Sequence, residues 1–317
     1  MVEAILTGSE SEPYIRHVAD ENPPLSVKDT RAVTIPASFE GRLSLPVIGA
    51  PLFIFSVPDL TIAQCKAGVI GSFPAQNARP PALLDEWLAG IQEILDAHDA
   101  RHPERPAAPF AVNQIVHRTN ARPEQDLALC MQHRVPVVIT SPGTREDAAQ
   151  AVHSHGGKVL HDVINDRLAR KAIEKGADGL IAGAAGAGGH AGMISPFAFV
   201  RQSRSWFDGP LAPSGAITTG KNILAAQIMG ADLAYIGSAF IAPDEANAGA
   251  DYKQMIVESG AEDIVYTNLF TGVHGNYPRH FVIRSGLDPD KLPHSDPSVM
   301  NFGKRREGGN AKPWRDI

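Results

Sequence analysis

Short, continuous apolar runs alternate along the chain with longer stretches of helical periodicity. Eight runs stand out: Leu45–Pro51, Gly68–Phe73, Phe110–Ile115, Val135–Ser141, Lys158–Val163, Gly179–Ala185, Leu211–Ile217 and Leu233–Phe240. Within each run the apolar residues are contiguous rather than alternating, which is the pattern of parallel strands covered on both faces. The segments between them read as helices. One ends at Gly68, a natural C-cap; one follows Pro80 and Pro81; one opens at Thr144 as N-cap, with Asp147 three residues on. Two others end in the same tripeptide, Gly176-Ala177-Asp178 and Gly230-Ala231-Asp232, each directly before an apolar run. A glycine closing a helix just ahead of a strand is the turn chemistry of a βαβ unit.

Eight strands with intervening helices, and a helix after the eighth, predict an α/β fold: a (β/α)8 barrel with an N-terminal extension, an insertion after strand six and a C-terminal tail. Alternation alone also permits an open doubly wound sheet. The count of eight and the glycine-rich ends of the late strands favour the barrel. The insertion, Ser195–Pro210, reads as a helix or lid over the top face. Residues 1–34 are expected to form the extension, 35–284 the barrel and 285–317 the tail. Both ends are rich in Pro, Gly and charge, and are expected to wrap the outside or stay mobile.

Composition narrows the function classes. The 317 residues suit one barrel domain with a large core. The net charge of −6 provides no basic field for nucleic acid or an anionic membrane, and the most basic run, Lys304-Arg305-Arg306, sits in the Gly-rich tail. Cys65 and Cys130 lie inside helical segments without other metal-ligand spacing, and read as buried small hydrophobes in a reducing compartment. No apolar run approaches the roughly 20 residues of a membrane helix. The first thirty residues carry acidic side chains where a signal peptide needs a basic then apolar stretch. A cytoplasmic protein acting on a small molecule is expected. The oligomeric state stays open, with a homodimer as one option.

In a barrel the loops after the strands form the active site. The most informative stretch is Gly183–Gly192, GAAGAGGHAG, directly after strand six. It is not a phosphate-binding P-loop, since no Gly-Lys-Ser/Thr follows, and Ala191 breaks a dinucleotide fingerprint. Its glycines allow close backbone approach to a flat or anionic ligand, and they leave His190 with little to pack against. The plain alternative is a flexible loop with an incidental histidine. Ser214-Gly215-Ala216 and Gly237-Ser238 end strands seven and eight, where many barrels hold a phosphate on backbone N–H groups. Asn113-Gln114 ends strand three; an amide both donates and accepts, which suits a flavin pyrimidine or a substrate carbonyl. His161 and Asp162 end strand five, and His274 lies in a glycine-flanked loop near the tail. Met193, Phe197, Phe199 and Trp206 are candidates for an apolar pocket, although their spacing suits helix packing equally.

Taken together these residues resemble the nitronate monooxygenase family, formerly the 2-nitropropane dioxygenases, which also includes flavin-dependent enoyl-ACP reductases and NADH:quinone reductases. The resemblance runs from about Leu45 to Asn276, and its most specific element is Ala187-Gly188-Gly189-His190-Ala191-Gly192. It implies FMN at the strand C-termini. Ala50, Pro51 and Leu52 would face the flavin, with Asn113 in contact. Ala187 and Gly188 would lie near the ring and ribityl chain. Gly215, Ala216, Gly237 and Ser238 would hold the phosphate, and His190 would match the catalytic histidine. The chain departs from the family in having Leu52 where relatives often have Met, and Asp162 where some carry Lys beside the flavin. An acid there disfavours negative charge on a reduced flavin.

The implied reaction is oxidation of a nitroalkane or its nitronate with dioxygen, His190 taking the α-proton. The alternatives are an NAD(P)H-dependent flavin reductase acting on a quinone or enoyl thioester and, in another class, a flavin-free barrel binding a phosphorylated metabolite.

Overall fold

The structure is a computed structural model that describes residues 36, 39–116, 120, 122–141 and 145–295, all within the compact unit Thr34–Ile317. The extension 1–34, the tail from 296 onward and the Thr144 cap lie outside the described residues.

Eight parallel strands form the frame: β1 (Val47–Gly49), β2 (Ser72–Pro74), β3 (Ala111–Ile115), β4 (Val137–Ser141), β5 (Lys158–Val163), β6 (Gly179–Gly183), β8 (Leu211–Ser214) and β9 (Ala234–Ile236). Six run side by side in the order β2-β3-β4-β5-β6-β8, and β9 pairs with β1. Two seams close the ring. Gly49 N–H donates to Ile70 O at 2.8 Å and Ile70 N–H to Val47 O at 3.0 Å, joining β1 to the residues leading into β2. Asp232 N–H donates to Leu211 O at 2.9 Å, joining β8 to the approach of β9. The predicted barrel is therefore present, and among the described residues no parallel strand is left as an open edge.

Helices alternate with these strands on the outside: α1 (Pro58–Lys66), α2 (Leu83–Arg101), α3 (Pro123–Gln132), α4 (Glu146–His153), α5 (Asp166–Glu174), α6 (Pro196–Arg204), α7 (Gly220–Ile228) and α8 (Ala250–Glu258). The predicted helix ends hold: Gly68, Gly176 and Gly230 have φ of +78°, +91° and +104°, which glycine adopts without the steric cost other residues incur. Each Gly-Ala-Asp turn then does a second job. Asp178 accepts from the N–H of Val159, and Asp232 from that of Leu211, each 2.8–2.9 Å away at the start of the neighbouring strand. Cys65 and Cys130 are buried free thiols, and burial pushes both pKa values up to about 12, which keeps them unreactive.

The barrel interior is filled by Ile48, Ile70, Ala111, Val137, Ile139, Leu160, Ile181, Ala212, Leu233 and Tyr235. The opposite faces of the strands, Val112, Val138 and Val159 among them, pack under the helices. Among the described residues no helix is long and apolar enough to cross a membrane.

One element was not anticipated. β7 (Gly189–His190), β10 (Ile264–Thr267) and β11 (Gly275–Pro278) form a small antiparallel sheet in the order β10-β11-β7, and α9 (Arg279–Arg284) follows.

Candidate active site

Side chains alternate along a strand, so the residue two beyond an interior residue faces inward again. Above Ile48, Ile70, Ala111, Ile139, Leu160, Ile181, Ala212 and Tyr235 this parity places Ala50, Ser72, Asn113, Ser141, Asp162, Gly183, Ser214 and Gly237. The barrel thus changes from aliphatic to small and polar at the C-terminal mouth. Contacts within this layer agree: Asn113 Nδ2 donates to Ser141 Oγ at 3.1 Å and to Ile139 O at 3.2 Å. A β-carbon built on Gly183 would lie 3.2 Å from Asp162 Oδ1.

The same parity separates neighbours in sequence. Gln114 turns outward and donates to Cys130 Sγ on α3 at 3.2 Å. His161 is buried on the helix side, 2.6 Å from Thr140 Oγ1. Of the Asn113-Gln114 and His161-Asp162 pairs, only Asn113 and Asp162 face the mouth.

Most of the other predicted residues meet there. A β-carbon on Gly237 would lie 3.4 Å from Leu52 Cδ2 and 3.6 Å from Ala50 Cβ, and one on Gly188 would lie 3.2 Å from Ser238 Oγ. Ala50 N–H donates to Ile236 O at 2.7 Å, so the ends of β1 and β9 are tied directly. Ala216 N–H donates to Gly186 O at 3.0 Å, joining the loops after β6 and β8. Ala216 is held at φ +52° and Gly215 at +145°. Gly237 and Ser238 open a short 3-10 turn, Ser238–Phe240, whose first N–H groups have no partner within the turn; among the described residues no backbone acceptor takes them. Just beyond Ala216, Thr219 caps α7 in a capping box with Asn222.

His190 is not on a free loop. Its backbone pairs with Gly275, and that of Gly189 with Asn276. Asn276 Nδ2 donates to Ala187 O at 2.6 Å, and the Tyr266 hydroxyl donates to Ala191 O at 3.0 Å. The imidazole Nε2 is 3.0 Å from Thr271 Oγ1. His274 contributes its carbonyl to Ala191 N–H at 3.2 Å and stacks on Tyr266, so its role is to hold the glycine loop.

Burial sets the charges. It lowers the His190 pKa to about 4 and raises that of Asp162 to about 7, because a low-dielectric site penalises the ionised form of each. Tyr235, beneath the polar layer, is raised well above its ordinary value by burial and by Asp162. Near pH 7 the imidazole is therefore neutral and the carboxyl about half protonated.

The apolar candidates do not form one pocket. Phe199 is fully buried in the core under α6, and Trp206 Nε1 donates to Asp166 Oδ1 at 2.6 Å. Met193 and Phe197 are 80% and 71% exposed. Among the described residues no group of His, Cys, Asp or Glu could hold a metal ion. Thr271, Ser72, Ser141 and Tyr235 were missed in the sequence. Three of them lie on the inward register of predicted strands or their approaches and could have been found by extending the parity; Thr271 carries no local signal.

A closed α/β barrel with a histidine in a clamped glycine loop at its C-terminal mouth belongs to the barrel oxidoreductases. The nitronate monooxygenase family model matches residues 43–284, and the chain belongs to that family. A probable nitronate monooxygenase of Staphylococcus saprophyticus is 32% identical over 265 residues, covering 73% of this chain and 74% of the relative. The structure of FabK from Thermotoga maritima superposes with a TM-score of 0.67 at 26% identity, covering 76% of this chain and 74% of FabK. That of nitroalkane oxidase from Streptomyces ansochromogenes superposes with a TM-score of 0.68 at 23% identity, covering 81% and 83% of the two chains.

Proposed function

We propose that this chain is an FMN-dependent nitronate monooxygenase that oxidises nitroalkanes or nitronates with dioxygen to a carbonyl compound and nitrite, with His190 as the base. The observation that carries this reading is the convergence of Gly188 on Ser238 and of Gly237 on Ala50 and Leu52, with the imidazole two residues beyond Gly188. The residues fit the cofactor. β-Carbons at Gly188 and Gly237 would protrude toward the neighbouring strand ends, so their absence leaves bare backbone for a planar ring to approach. Gly215, Ala216, Gly237 and Ser238 would hold the phosphate on the late-strand loops. Ala50, Pro51, Leu52 and Asn113 would border the ring, with Ala187 and Gly188 beside it and Asp162 below.

When bound, FMN supplies the electron-transfer chemistry. The protein supplies the proton chemistry. A neutral His190 nitrogen takes the α-proton of the nitroalkane, and the imidazolium formed is stabilised by the negative charge left on the nitronate. Burial makes a lone imidazolium unfavourable, so the transfer is productive only with that charge adjacent. Asp162, whose carboxyl pKa burial pushes up to about 7, is protonated below that pH and there places no fixed negative charge at the barrel mouth.

The first test is the visible spectrum of the purified protein, where a folded, colourless chain would refute the cofactor. The second is His190→Asn, expected to retain FMN and oxidise preformed nitronate while losing turnover of the neutral nitroalkane. Wild-type turnover of the neutral substrate would remove His190 from the base role. The second reading is an NAD(P)H-dependent flavin reductase acting on a quinone or enoyl thioester, which the family resemblance also implies, and rapid anaerobic bleaching of the flavin by NADH or NADPH would favour it.

A further inference from the structure

We propose that Arg79 is an oxyanion-docking residue on the rim of the barrel mouth, holding the carboxylate or phosphate of a ligand whose reacting end enters the proposed active site. The inference rests on the reading of the mouth as that site and adds the charge class of what it takes.

Three loops at the C-terminal end of the barrel are tied into one wall. After β1, Leu52 reaches Gly237, and Phe53 follows it in the chain. After β2, the short 3-10 turn Ala75–Asn77 carries Asn77, whose amide accepts from Ile54 N–H and donates to the carbonyls of Leu52 and Ser56. After β3, Arg122 donates to Ala78 O at 3.0 Å and to Ala75 O at 3.4 Å. Arg79 projects from this braced segment and is exposed. Its Nε donates to Gln76 O at 2.8 Å, and its guanidinium carbon lies 5.2 Å from the centre of the Phe53 ring. A guanidinium anchored at Nε and laid on an aromatic face has given up much of its freedom before any ligand arrives.

Arg79 has no counter-charge among the described residues. Burial and the like charge of Arg122 both lower its pKa, and no carboxylate acts against them. Asp126, the acid of this region, pairs with Arg122 at 2.9 Å instead. The chain carries 35 acidic residues against 29 Lys and Arg, so the missing partner does not reflect a shortage of acids. Arg122 spends its Nη groups on Asp126 and two carbonyls. Those of Arg79 remain as a fixed fork, the geometry that meets a carboxylate or phosphate with two parallel hydrogen bonds.

The test uses ligand pairs that differ in one anionic group. In the FMN-loaded enzyme, 4-nitrobutanoate is compared with its methyl ester by kcat/KM, and NADP+ with NAD+ by calorimetric Kd. Wild type is expected to favour the anionic member of at least one pair by about tenfold, the weight of one charge-assisted hydrogen bond. Added salt should shrink that preference. A preference in the first pair assigns the oxyanion to a carboxylate on the substrate, and one in the second to the extra phosphate of the dinucleotide. Arg79→Met keeps an apolar stem over Phe53 without the charge and is expected to abolish the preference, while Arg79→Lys should retain part of it. Should Arg79→Met fail to fold, Arg79→Gln decides by the same ratios. No preference in wild type for either pair, or one that survives loss of the charge, overturns the proposal and leaves Arg79 a solvated side chain only. Calorimetric binding of 4-nitrobutanoate and its ester to His190→Asn needs no turnover, so the anion's docking is judged there whatever becomes of His190 as the base.

Discussion

Gly188 stands against Ser238 so closely that a β-carbon at position 188 would lie 3.2 Å from the serine hydroxyl oxygen. The loop after β6 and the turn after β9 thus meet through bare backbone. In the apoprotein the hydroxyl can rotate aside, so Gly188→Ala should barely change the melting temperature. With FMN bound, the same methyl competes for the space the cofactor needs. Flavin fluorescence titration is expected to show Kd raised about tenfold, or about 1.4 kcal/mol. An unchanged Kd would place the cofactor elsewhere.

The two Gly-Ala-Asp turns look identical in sequence and should differ in energetic weight. Asp232 is 2% exposed, accepts from Leu211 N–H and pairs with Arg204. Asp232→Ala takes the carboxylate from a mostly buried guanidinium and leaves it only the carbonyls of Gly230, Phe207 and Gly209 among its described partners, a change that costs about 3–5 kcal/mol. Calorimetry is expected to show a melting temperature lower by about 10 °C. Asp178 keeps 20% of its side chain exposed and pairs with partly exposed Lys158 and His153. Asp178→Ala should therefore cost about 1–2 kcal/mol. Equal losses would mean that the strand-edge hydrogen bond, common to both, carries the whole effect.

Much of this fold was legible because its signals are local. Continuous apolar runs marked all eight barrel strands, and glycines at helix ends marked the turns at Gly68, Gly176 and Gly230. The mouth was legible in part, since Gly188, Gly215, Gly237 and Ser238 sit at the ends of predicted strands. The β7-β10-β11 sheet was not. Its pairing joins Gly189-His190 to Gly275-Asn276, and a two-residue strand carries no periodicity. Thr271 was invisible for the same reason: a threonine beside Gly272 reads as turn, and only the fold brings it to His190. His161 and Asp162 show the opposite lesson. Adjacent in sequence, they were considered together, yet strand alternation sends one under the helices and the other to the mouth.

Asp162 should leave a signature in the pH dependence of apoprotein stability. Its folded pKa of about 7 exceeds the ordinary 3.8, so between those values the folded chain binds more protons than the unfolded chain. Stability from this group is present at low pH and is lost as pH rises through about 7. His161 and His190, lowered from 6.5 to about 4 by burial, act in the opposite sense and lose stability as pH falls through that window. Asp162→Asn removes only the first contribution. Denaturant titrations at pH 5 and pH 8 should show the variant gaining on wild type at the higher pH. The same stability difference at both pH values would mean that Asp162 is ionised in the fold throughout.

The loop after β1 depends on one side chain, Asn77, that carries no local sequence signal. Ile54 has φ of +60°, a conformation that is costly for a β-branched residue. Asn77 holds it there: its Oδ1 accepts from Ile54 N–H at 2.8 Å, while Nδ2 donates to Leu52 O at 3.0 Å and Ser56 O at 2.8 Å. Since Leu52 reaches Gly237, the strain at Ile54 is linked to the wall of the proposed cofactor site. Asn77→Ala removes all three hydrogen bonds and lets Ile54 relax toward negative φ, carrying Leu52 with it. FMN Kd should rise by about tenfold or more, and limited proteolysis of the apoprotein should gain a cut within residues 52–56. Ile54→Gly in the Asn77→Ala background relieves the strain without restoring the hydrogen bonds. Recovery of FMN affinity in that double variant would show that strain relief, rather than the lost bonds, displaces the loop; continued weak binding would assign the effect to the Asn77 amide itself.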